Sequence, residues 1–296
     1  MNDFQRNLPL AQEGLDRDYR FRENPNWVSE LWSDPSTEVL LMRDGAVQLS
    51  DSGELRFFSP EYLTDYNVIA YLGKDLETGR PVVLAEPGDD GQFGDWHSLR
   101  KSGLGLSPRD VSIFTQGLAL FNWHKTHAYC PGCGTHTVVE RAGWSRRCPA
   151  DNRELFPRTD PAIIVGVIDA EDRILLGSQG AWEENRFSIL AGFVEPGEAL
   201  EAAVVREMQE EAGILVANPV YLGSQAWPFP YSLMLGYTAT YVGGDVEPDG
   251  EEIVKLRWFS KMELKAEAKN LLLPGKLSIA RAIIEHWLGE ELVTGE

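Results

Sequence analysis

Residues 192–214 run Gly-Phe-Val-Glu-Pro-Gly-Glu-Ala-Leu-Glu-Ala-Ala-Val-Val-Arg-Glu-Met-Gln-Glu-Glu-Ala-Gly-Ile. Alanine and leucine separate the acids, so Glu198 to Ala212 is expected to be helical, and Gly213 marks its C-terminal stop because glycine turns left-handed without steric cost. On such a helix Glu207, Glu210 and Glu211 stand at i, i+3 and i+4 and share one stripe. Leu200, Val204 and Met208, spaced by four, form a second, apolar stripe that must be buried, so the acids ride on a fixed scaffold. Carboxylates this close repel one another. A solvated acidic face tolerates them, whereas a site for a hard divalent cation such as Mg²⁺ or Mn²⁺ requires them.

Spacing separates the two readings. A glycine, five residues, Glu198, seven residues, then Arg206-Glu207-apolar-any-Glu210-Glu211-any-Gly213-apolar resembles the signature of the Nudix hydrolases, and every specified position from Gly192 to Ile214 matches. With each residue type at roughly one in fifteen, seven fixed identities arise by chance about once in 10⁸ starting points. The flanks agree with that resemblance. Ala162 to Ile168 and Arg173 to Gly177 read as buried strands around an Asp-Ala-Glu-Asp turn, and Phe187 to Phe193 reads as a strand feeding the glycine loop. Val220 to Gln225, Leu233 to Val242 and Val254 to Phe259 are strand-like by β-branched and aromatic content, and Leu277 to Leu288 carries Ile279, Ile283, Ile284 and Trp287 at helical spacing. This order resembles the α/β/α Nudix sandwich over about 140 residues.

A chain of 296 residues with 43% apolar content has room for two ordinary cores. Its first residues lack the apolar core of a signal peptide and no stretch approaches a membrane span, so a cytoplasmic enzyme without membrane partners is expected. The formal charge of −19 opposes generic binding to nucleic acid or anionic membranes, so an anionic substrate must be brought in by metal.

Three cysteines are too few and too close together for a secreted disulfide framework. Cys130-Pro-Gly-Cys133-Gly134 is a knuckle suited to tetrahedral zinc, and Cys148 follows as a second arm would. A four-cysteine ribbon would place its last ligand at position 151, where this chain has Asp151. A carboxylate can ligate zinc, which makes Cys₃Asp one option, with His124, His127 and His136 as alternatives. Small ribbons fold poorly without metal, which favours a structural Zn²⁺. Between His124 and Arg158, six basic residues (Lys125, Arg141, Arg146, Arg147, Arg153 and Arg158) outnumber the three acids Glu140, Asp151 and Glu154, and Arg146 with Arg147 is the candidate contact to RNA phosphates, against scattered solvated arginines as the plainer reading.

Upstream, Val39 to Met42, Leu55 to Phe58, Asn67 to Leu72 and Pro81 to Ala85 are strand-like. Ser107-Pro108-Arg109-Asp110 opens a helix reaching about Lys125, with an N-cap serine and a first-turn proline. The first 35 residues are polar and irregular, anchored by Trp27 and Trp32, and Gly103-Leu-Gly105 reads as a turn. This half holds no catalytic constellation. The expected division is therefore an α+β chain: a mixed α/β domain over 1–125, a zinc-ribbon-like segment over 126–157, and the α/β/α sandwich over 158–296.

Ser224-Gln-Ala-Trp-Pro-Phe-Pro-Tyr-Ser232 resembles the array that follows the Nudix box in NADH pyrophosphatases, with Ala226 in place of a proline. A tryptophan flanked by proline on a stiff turn loses little entropy when it stacks on a base. With the box, the ribbon and the leading domain, the whole chain is similar to the NudC type of NADH pyrophosphatase, members of which also remove NAD caps from RNA 5′ ends. The resemblance implies hydrolysis of the pyrophosphate bond of NADH or NAD⁺ into AMP and the nicotinamide mononucleotide. It also implies Mg²⁺ or Mn²⁺ on Glu207, Glu210, Glu211, Glu252 and the Ala191 carbonyl, with Glu251 the near alternative to Glu252. Glu198 and Arg206 form an orienting ion pair on this reading. Phe193 and Trp227 sandwich the base, Trp227 being contributed across a homodimer interface, and Ser224, Gln225, Ser232 and Ala280 line the substrate. Two other readings stay open: a Nudix hydrolase of another nucleoside diphosphate such as ADP-ribose, and a zinc-ribbon regulator that binds nucleotide without turnover.

Overall fold

A computed structural model describes residues 2–88 and 94–295. The chain divides into two units, one made of residues 12–159 with 227–231, the other of residues 1–11, 160–226 and 232–296. Relative to the expected division, the break between Thr159 and Asp160 falls near residue 158, but the first eleven residues group with the C-terminal unit and the ribbon groups with the N-terminal one.

In the N-terminal unit a helix α1 (Trp27–Ser33) precedes β1 (Glu38–Arg43), β2 (Tyr66–Asp75), β3 (Pro81–Pro87) and the long helix α2 (Pro108–Thr126). The segment holding α1 was expected to be irregular; its Trp27 and Trp32 nevertheless anchor it, and Trp32 stacks on Tyr66 with ring centroids 4.3 Å apart. Strand β2 pairs antiparallel with β3, and β3 pairs parallel with β1, the centre of a seven-stranded sheet whose outer strands are two residues long. Ser107 caps α2 by accepting from Asp110 N, with Pro108 in the first turn. Helix α2 lies against the sheet at Gly117, which faces Leu40, Met42 and Leu84. Three short antiparallel strands, β4 (Val138–Glu140), β5 (Ser145–Arg147) and β6 (Glu154–Leu155), complete the unit as the ribbon.

The C-terminal unit is built on β7 (Asp160–Ile168), β8 (Ile174–Gln179), β9 (Leu190–Phe193), β10 (Ile214–Trp227), β11 (Ser232–Gly244) and β12 (Ile253–Phe259). The sheet order is β10-β11-β7-β8-β12, with β9 paired to β7. Strands β7 and β11 are parallel, in register from Asp160 opposite Ser232 to Ile168 opposite Thr240. Successive side chains of β7 point to opposite faces, and this decides the layering. Ile163, Val165 and Val167 join the core that contains Val204 and Met208 of α3 (Leu200–Ala212), while Ile164 joins the core of Ile279, Ile283 and Ile284 from the closing helix. A short α4 (Lys261–Glu267), absent from the sequence reading, is opened by a capping box between Ser260 and Glu263, and α5 (Ile279–Leu288) closes the unit. Strand β10 begins six residues before Val220, directly after the helix stop at Gly213.

The N-terminal segment is fastened to this unit by side chains that recognise backbone. Asn2 Nδ2 donates to the Leu222 carbonyl at 2.8 Å, and Gln5 takes both Ser224 groups, accepting from its N–H at 2.6 Å and donating to its carbonyl at 2.9 Å. Leu8 is fully buried among the α5 residues. Gln225, itself fully buried, donates from Nε2 to the carbonyls of Pro9 and Leu277 and accepts from Ile279 N at 2.8 Å. A leucine there would leave two carbonyls and one N–H buried without partners. Gln225→Leu is therefore expected to cost at least about 2 kcal/mol, read as a lowered urea midpoint with an unchanged m-value; a midpoint equal to that of the parent would show the bolt to be dispensable.

Candidate active site

Strand β9 and helix α3 bring the motif residues together through one close approach. The carboxylate of Glu207 lies over the backbone of Gly192, where an added Cβ would come within 1.9 Å of its Cδ, so any side chain at 192 would force the Glu207 carboxylate to move. Arg206 then ties the loop to the helix. Its Nε and Nη2 clasp the two oxygens of Glu198 at 2.8 and 2.9 Å, Nη1 reaches Glu207 at 2.9 Å and Glu210 at 2.8 Å, and Nη2 also donates to the Phe193 carbonyl at 3.0 Å. The guanidinium and the Glu195 N–H hold the Glu198 carboxyl well below its ordinary range, and Glu198 in turn raises Arg206.

This single cation leaves the cluster undercompensated. Glu207 is mostly buried and its pKa is raised, by burial first and then by Glu210 and Glu252, against the pull of Arg206. Glu211, 5% exposed, has no basic partner, and its Oε2 is buried without a hydrogen-bond partner among the described residues. Burial, followed by the charges of Glu252, Glu207 and Asp249, pushes its carboxyl up to about 8. Glu252 is exposed on the loop that passes the end of α3, where Asp249 N donates to the Glu211 carbonyl at 3.3 Å. Asp249 shapes that loop by accepting the N–H groups of Glu251, Glu252 and Ile253 at 3.1, 3.1 and 2.8 Å. The sequence reading missed Asp249; the signal was its place before glycine and two acids, a turn-forming pattern. Ala191 stands beside Gly192 in β9, paired with Ile164, and Phe193 follows it with 61% of its surface exposed.

In the ribbon, the ligand-forming atoms of Cys130, Cys133, Cys148 and Asp151 all lie within 4.8 Å of one another. Two matched turns present them. Gly134 N donates to the Cys130 carbonyl and Asn152 N to the Cys148 carbonyl, both at 2.9 Å, and Gly134 and Asn152 are both left-handed, at φ +74° and +60°. Asp151 thus occupies in the second turn the place of Cys133 in the first. The three histidines considered for this position are engaged elsewhere: His124 with Gly143 and Arg146, His127 with Thr126, His136 against the Tyr129 ring.

Residues 157–279 match the NUDIX domain family, and residues 125–156 match the NADH pyrophosphatase zinc ribbon domain. A protein of Mycobacterium tuberculosis (strain ATCC 25618 / H37Rv) named NAD-capped RNA hydrolase NudC is 38% identical over 317 residues, spanning 96% of this chain and 96% of that protein. The chain belongs to the NudC family of Nudix hydrolases. A second NudC relative, from Stutzerimonas stutzeri (strain A1501), is 36% identical across 72% of this chain and 76% of its own length. Among solved structures, a Nudix hydrolase from Nitrosomonas europaea matches 56% of this chain and 96% of its own, with a TM-score of 0.43 and 19% identity.

Other residues expected at the NudC site prove to have structural work. Gln225, expected to line the substrate, is sealed in the core with its amide engaged on both sides, and Ala280, expected beside it, is 3% exposed with its methyl packed in the α5 core. Ser224 is half-buried with both backbone groups held by Gln5, and Ser232 is half-buried at the start of β11. Trp227 groups with the N-terminal unit, where its ring meets Phe229 at a 5.0 Å centroid separation and the Arg100 guanidinium lies 5.1 Å from it and 4.0 Å from Phe229. The paired arginines of the ribbon are not a free cationic face: Arg146 is buried, and Arg147 is clasped by Glu140 at 2.8 Å and paired with Glu154 at 3.5 Å.

The raised Glu211 carboxyl fixes a sign. A carboxyl whose pKa rises on folding contributes stability below its unfolded value, and that contribution disappears as pH climbs through the folded value. In metal-free protein, stability relative to Glu211→Gln should therefore fall between pH 4.5 and 8, at up to about 1.4 kcal/mol per pH unit. Urea unfolding in EDTA at several pH values tests this; parallel curves for the two proteins would remove Glu211 as an uncompensated acid.

Proposed function

We propose that this protein hydrolyses the pyrophosphate bond of NADH and NAD⁺, releasing AMP and the nicotinamide mononucleotide, and removes NAD caps from RNA 5′ ends by the same cut. The observation that carries this reading is the buried, undercompensated carboxylate cluster behind Gly192, in a chain alignable along nearly its whole length with proteins named NAD-capped RNA hydrolases.

The residues fit a hard divalent cation, because among the described residues Glu211 Oε2 is buried with no partner and the carboxylates of Glu252, Glu207, Asp249 and Glu210 lie near it. Glu207, Glu210, Glu211, Glu252 and the Ala191 carbonyl would hold Mg²⁺ or Mn²⁺, with Glu251 next in line. When bound, the cation supplies neutralisation of the phosphoryl oxygens and acidification of a water. Everything else is assigned to the chain. Arg206, clasped by Glu198, fixes where Glu207 and Glu210 point and keeps loop and helix in one geometry. In the reaction a water oxygen bonds to one phosphorus, the bond from that phosphorus to the bridging oxygen breaks, and the proton of the water passes to the carboxylate cluster, so no covalent enzyme intermediate is needed. Phe193 offers an exposed ring on which a base can stack.

In the ribbon, Cys130, Cys133, Cys148 and Asp151 would hold Zn²⁺ as a structural ion; three sulfurs and one carboxylate oxygen suit a closed tetrahedral site. A homodimer is part of the reading, with Trp227 the aromatic contributed between subunits. The substrates are cytoplasmic coenzymes and transcripts, which sets the cytoplasm as its place of action; among the described residues no helix is long and apolar enough to cross a membrane.

The deciding assay follows AMP release from NADH and nucleotide release from NAD-capped RNA, with and without Mg²⁺ or Mn²⁺. Glu211→Gln should lower the rate at least about a hundredfold on both substrates while leaving the circular dichroism spectrum unchanged. Near-parent turnover by a folded Glu211→Gln protein would overturn the assignment, and faster turnover of ADP-ribose than of NADH would move the substrate to another nucleoside diphosphate. Trp227→Ala should shrink the preference for NADH over ADP-ribose by about tenfold, the worth of one lost stacking contact; equal losses on both would make Trp227 structural. Elemental analysis should return one zinc per chain, reduced in Asp151→Ala, and a folded zinc-free protein would refute that site.

A further inference from the structure

One buried charge takes no part in the carboxylate chemistry. Arg146, in β5, is 6% exposed and donates only to neutral groups: Nε to Thr137 Oγ1 at 2.7 Å, Nη2 to the Thr137 carbonyl at 2.9 Å, and Nη1 to His124 Nδ1 at 3.0 Å. A guanidinium can only donate, so His124 Nδ1 is the acceptor, and its Nε2–H donates to the Gly143 carbonyl at 2.9 Å. His124 is accordingly neutral, pushed down to about 4, by burial first. Among the described residues Arg146 has no carboxylate partner, and two of its five N–H groups remain unused. A buried cation with only neutral partners gains when an anion reaches it.

Space for one adjoins it. Arg146 lines an open cleft of about 560 Å³ within the N-terminal unit, between β2, β3, α2 and the ribbon, a size ordinary for small-molecule sites. Of the other charged groups facing it, Glu86 is neutralised by Lys125 Nζ at 2.6 Å, so the guanidinium is in excess. The rest of the lining is mixed, with Ile69, Phe121, Val138 and Val139 as its apolar part beside Asn67, Thr137 and His136. Inorganic phosphate alone would leave these walls wet; an apolar molecule alone would leave Arg146 uncompensated. We propose that this cavity is a second nucleotide site, in which a phosphate group meets the Arg146 guanidinium and the base lies against the Phe121 and Val139 walls. A free mononucleotide and a nucleotide within an RNA chain offer the same chemistry. None of these residues belongs to the carboxylate cluster, so the two sites stand or fall separately.

The test uses the full chain carrying Glu211→Gln, in EDTA, photolabelled with 8-azidoadenosine 5′-monophosphate, with phosphate-free 8-azidoadenosine, and with a 5′-phosphorylated RNA oligonucleotide containing 8-azidoadenosine. Mass spectrometry of the digests should find label within residues 121–139. The phosphate-free nucleoside should label at least about tenfold less, since it lacks the charge-assisted contact. Arg146→Met should lower labelling similarly, as should Val139→Trp, which fills the cavity from the position cross-strand to Arg146. Neither substitution should change NADH hydrolysis when Glu211 is intact. Labelling by the mononucleotide alone assigns the site to free nucleotide, and labelling by the RNA probe assigns it to the transcript. No label in 121–139 with any probe would overturn the proposal. So would labelling indifferent to both the phosphate and Val139→Trp, leaving Arg146 a strut between ribbon and helix.

Discussion

Glycine at 192 lets a glutamate carboxylate rest on the strand backbone, and the catalytic unit is arranged around that contact. With Glu207 against β9, Arg206 one residue earlier reaches back over the loop, where Glu198 and the Phe193 carbonyl receive it. One guanidinium then serves three carboxylates. It cannot serve a fourth, and Glu211, one turn on from Glu207 and turned toward the core, is left with a buried oxygen and only acids for neighbours. A fold that needed only stability would replace such a group with an apolar one, since an uncompensated buried charge destabilises more than a satisfied pair stabilises. Its presence points to a ligand that supplies the missing positive charge.

Local periodicity made the catalytic unit legible. The acidic and apolar stripes of α3, the stop at Gly213, and the alternation along β7 that sends Ile163 and Ile164 to different layers are properties of short segments. What stayed hidden depends on contacts distant in sequence. Nothing local to Asn2, Gln5 or Leu8 announces that they bind a strand more than two hundred residues away, and this is why residues 1–11 were expected with the wrong unit. Gln225 fails for the same reason. Its place in an aromatic, proline-rich array suggested substrate, whereas its amide is fully matched by carbonyls from two remote segments and an N–H. Composition could not show the setting of Arg146 and Arg147 either: a count of charges cannot tell a solvated arginine from one folded into hydrogen bonds.

The ribbon shows how an unconventional ligand can be accommodated. Two turns of the same form each need one residue in the left-handed region; glycine serves in one and asparagine, the most tolerant side chain after glycine, in the other. The backbone equivalence places Asp151 where a fourth thiolate would stand, and its Oδ2 lies 3.4 Å from Cys130 Sγ. Asp151 is further steadied by the Arg153 N–H, donating at 3.0 Å, which with the Cys148 and Cys130 thiols holds its carboxyl below the ordinary range. The substitution therefore leaves the geometry of the knuckle intact and changes only its chemistry.

Among the described residues, Glu211 and Arg146 are buried ionisable groups of opposite type without an oppositely charged partner, in a chain of net charge −19, and their neighbours set what each can accept. Around Glu211 the donors are oxygens alone, the carboxylates are close enough to raise one another, and the opening lies beside an exposed aromatic ring. That environment selects a small, hard cation and the diphosphate it would carry. Around Arg146 the partners are neutral, the one nearby acid already has its lysine, and Phe121, Ile69 and Val139 add apolar surface to the walls. A bare metal or an inorganic ion gains little from such walls, while an anion attached to a flat apolar body gains from both. The overall negative charge sharpens the distinction: it repels polyanions from most of the surface, so any that bind must do so where the chain has left a positive charge unmatched.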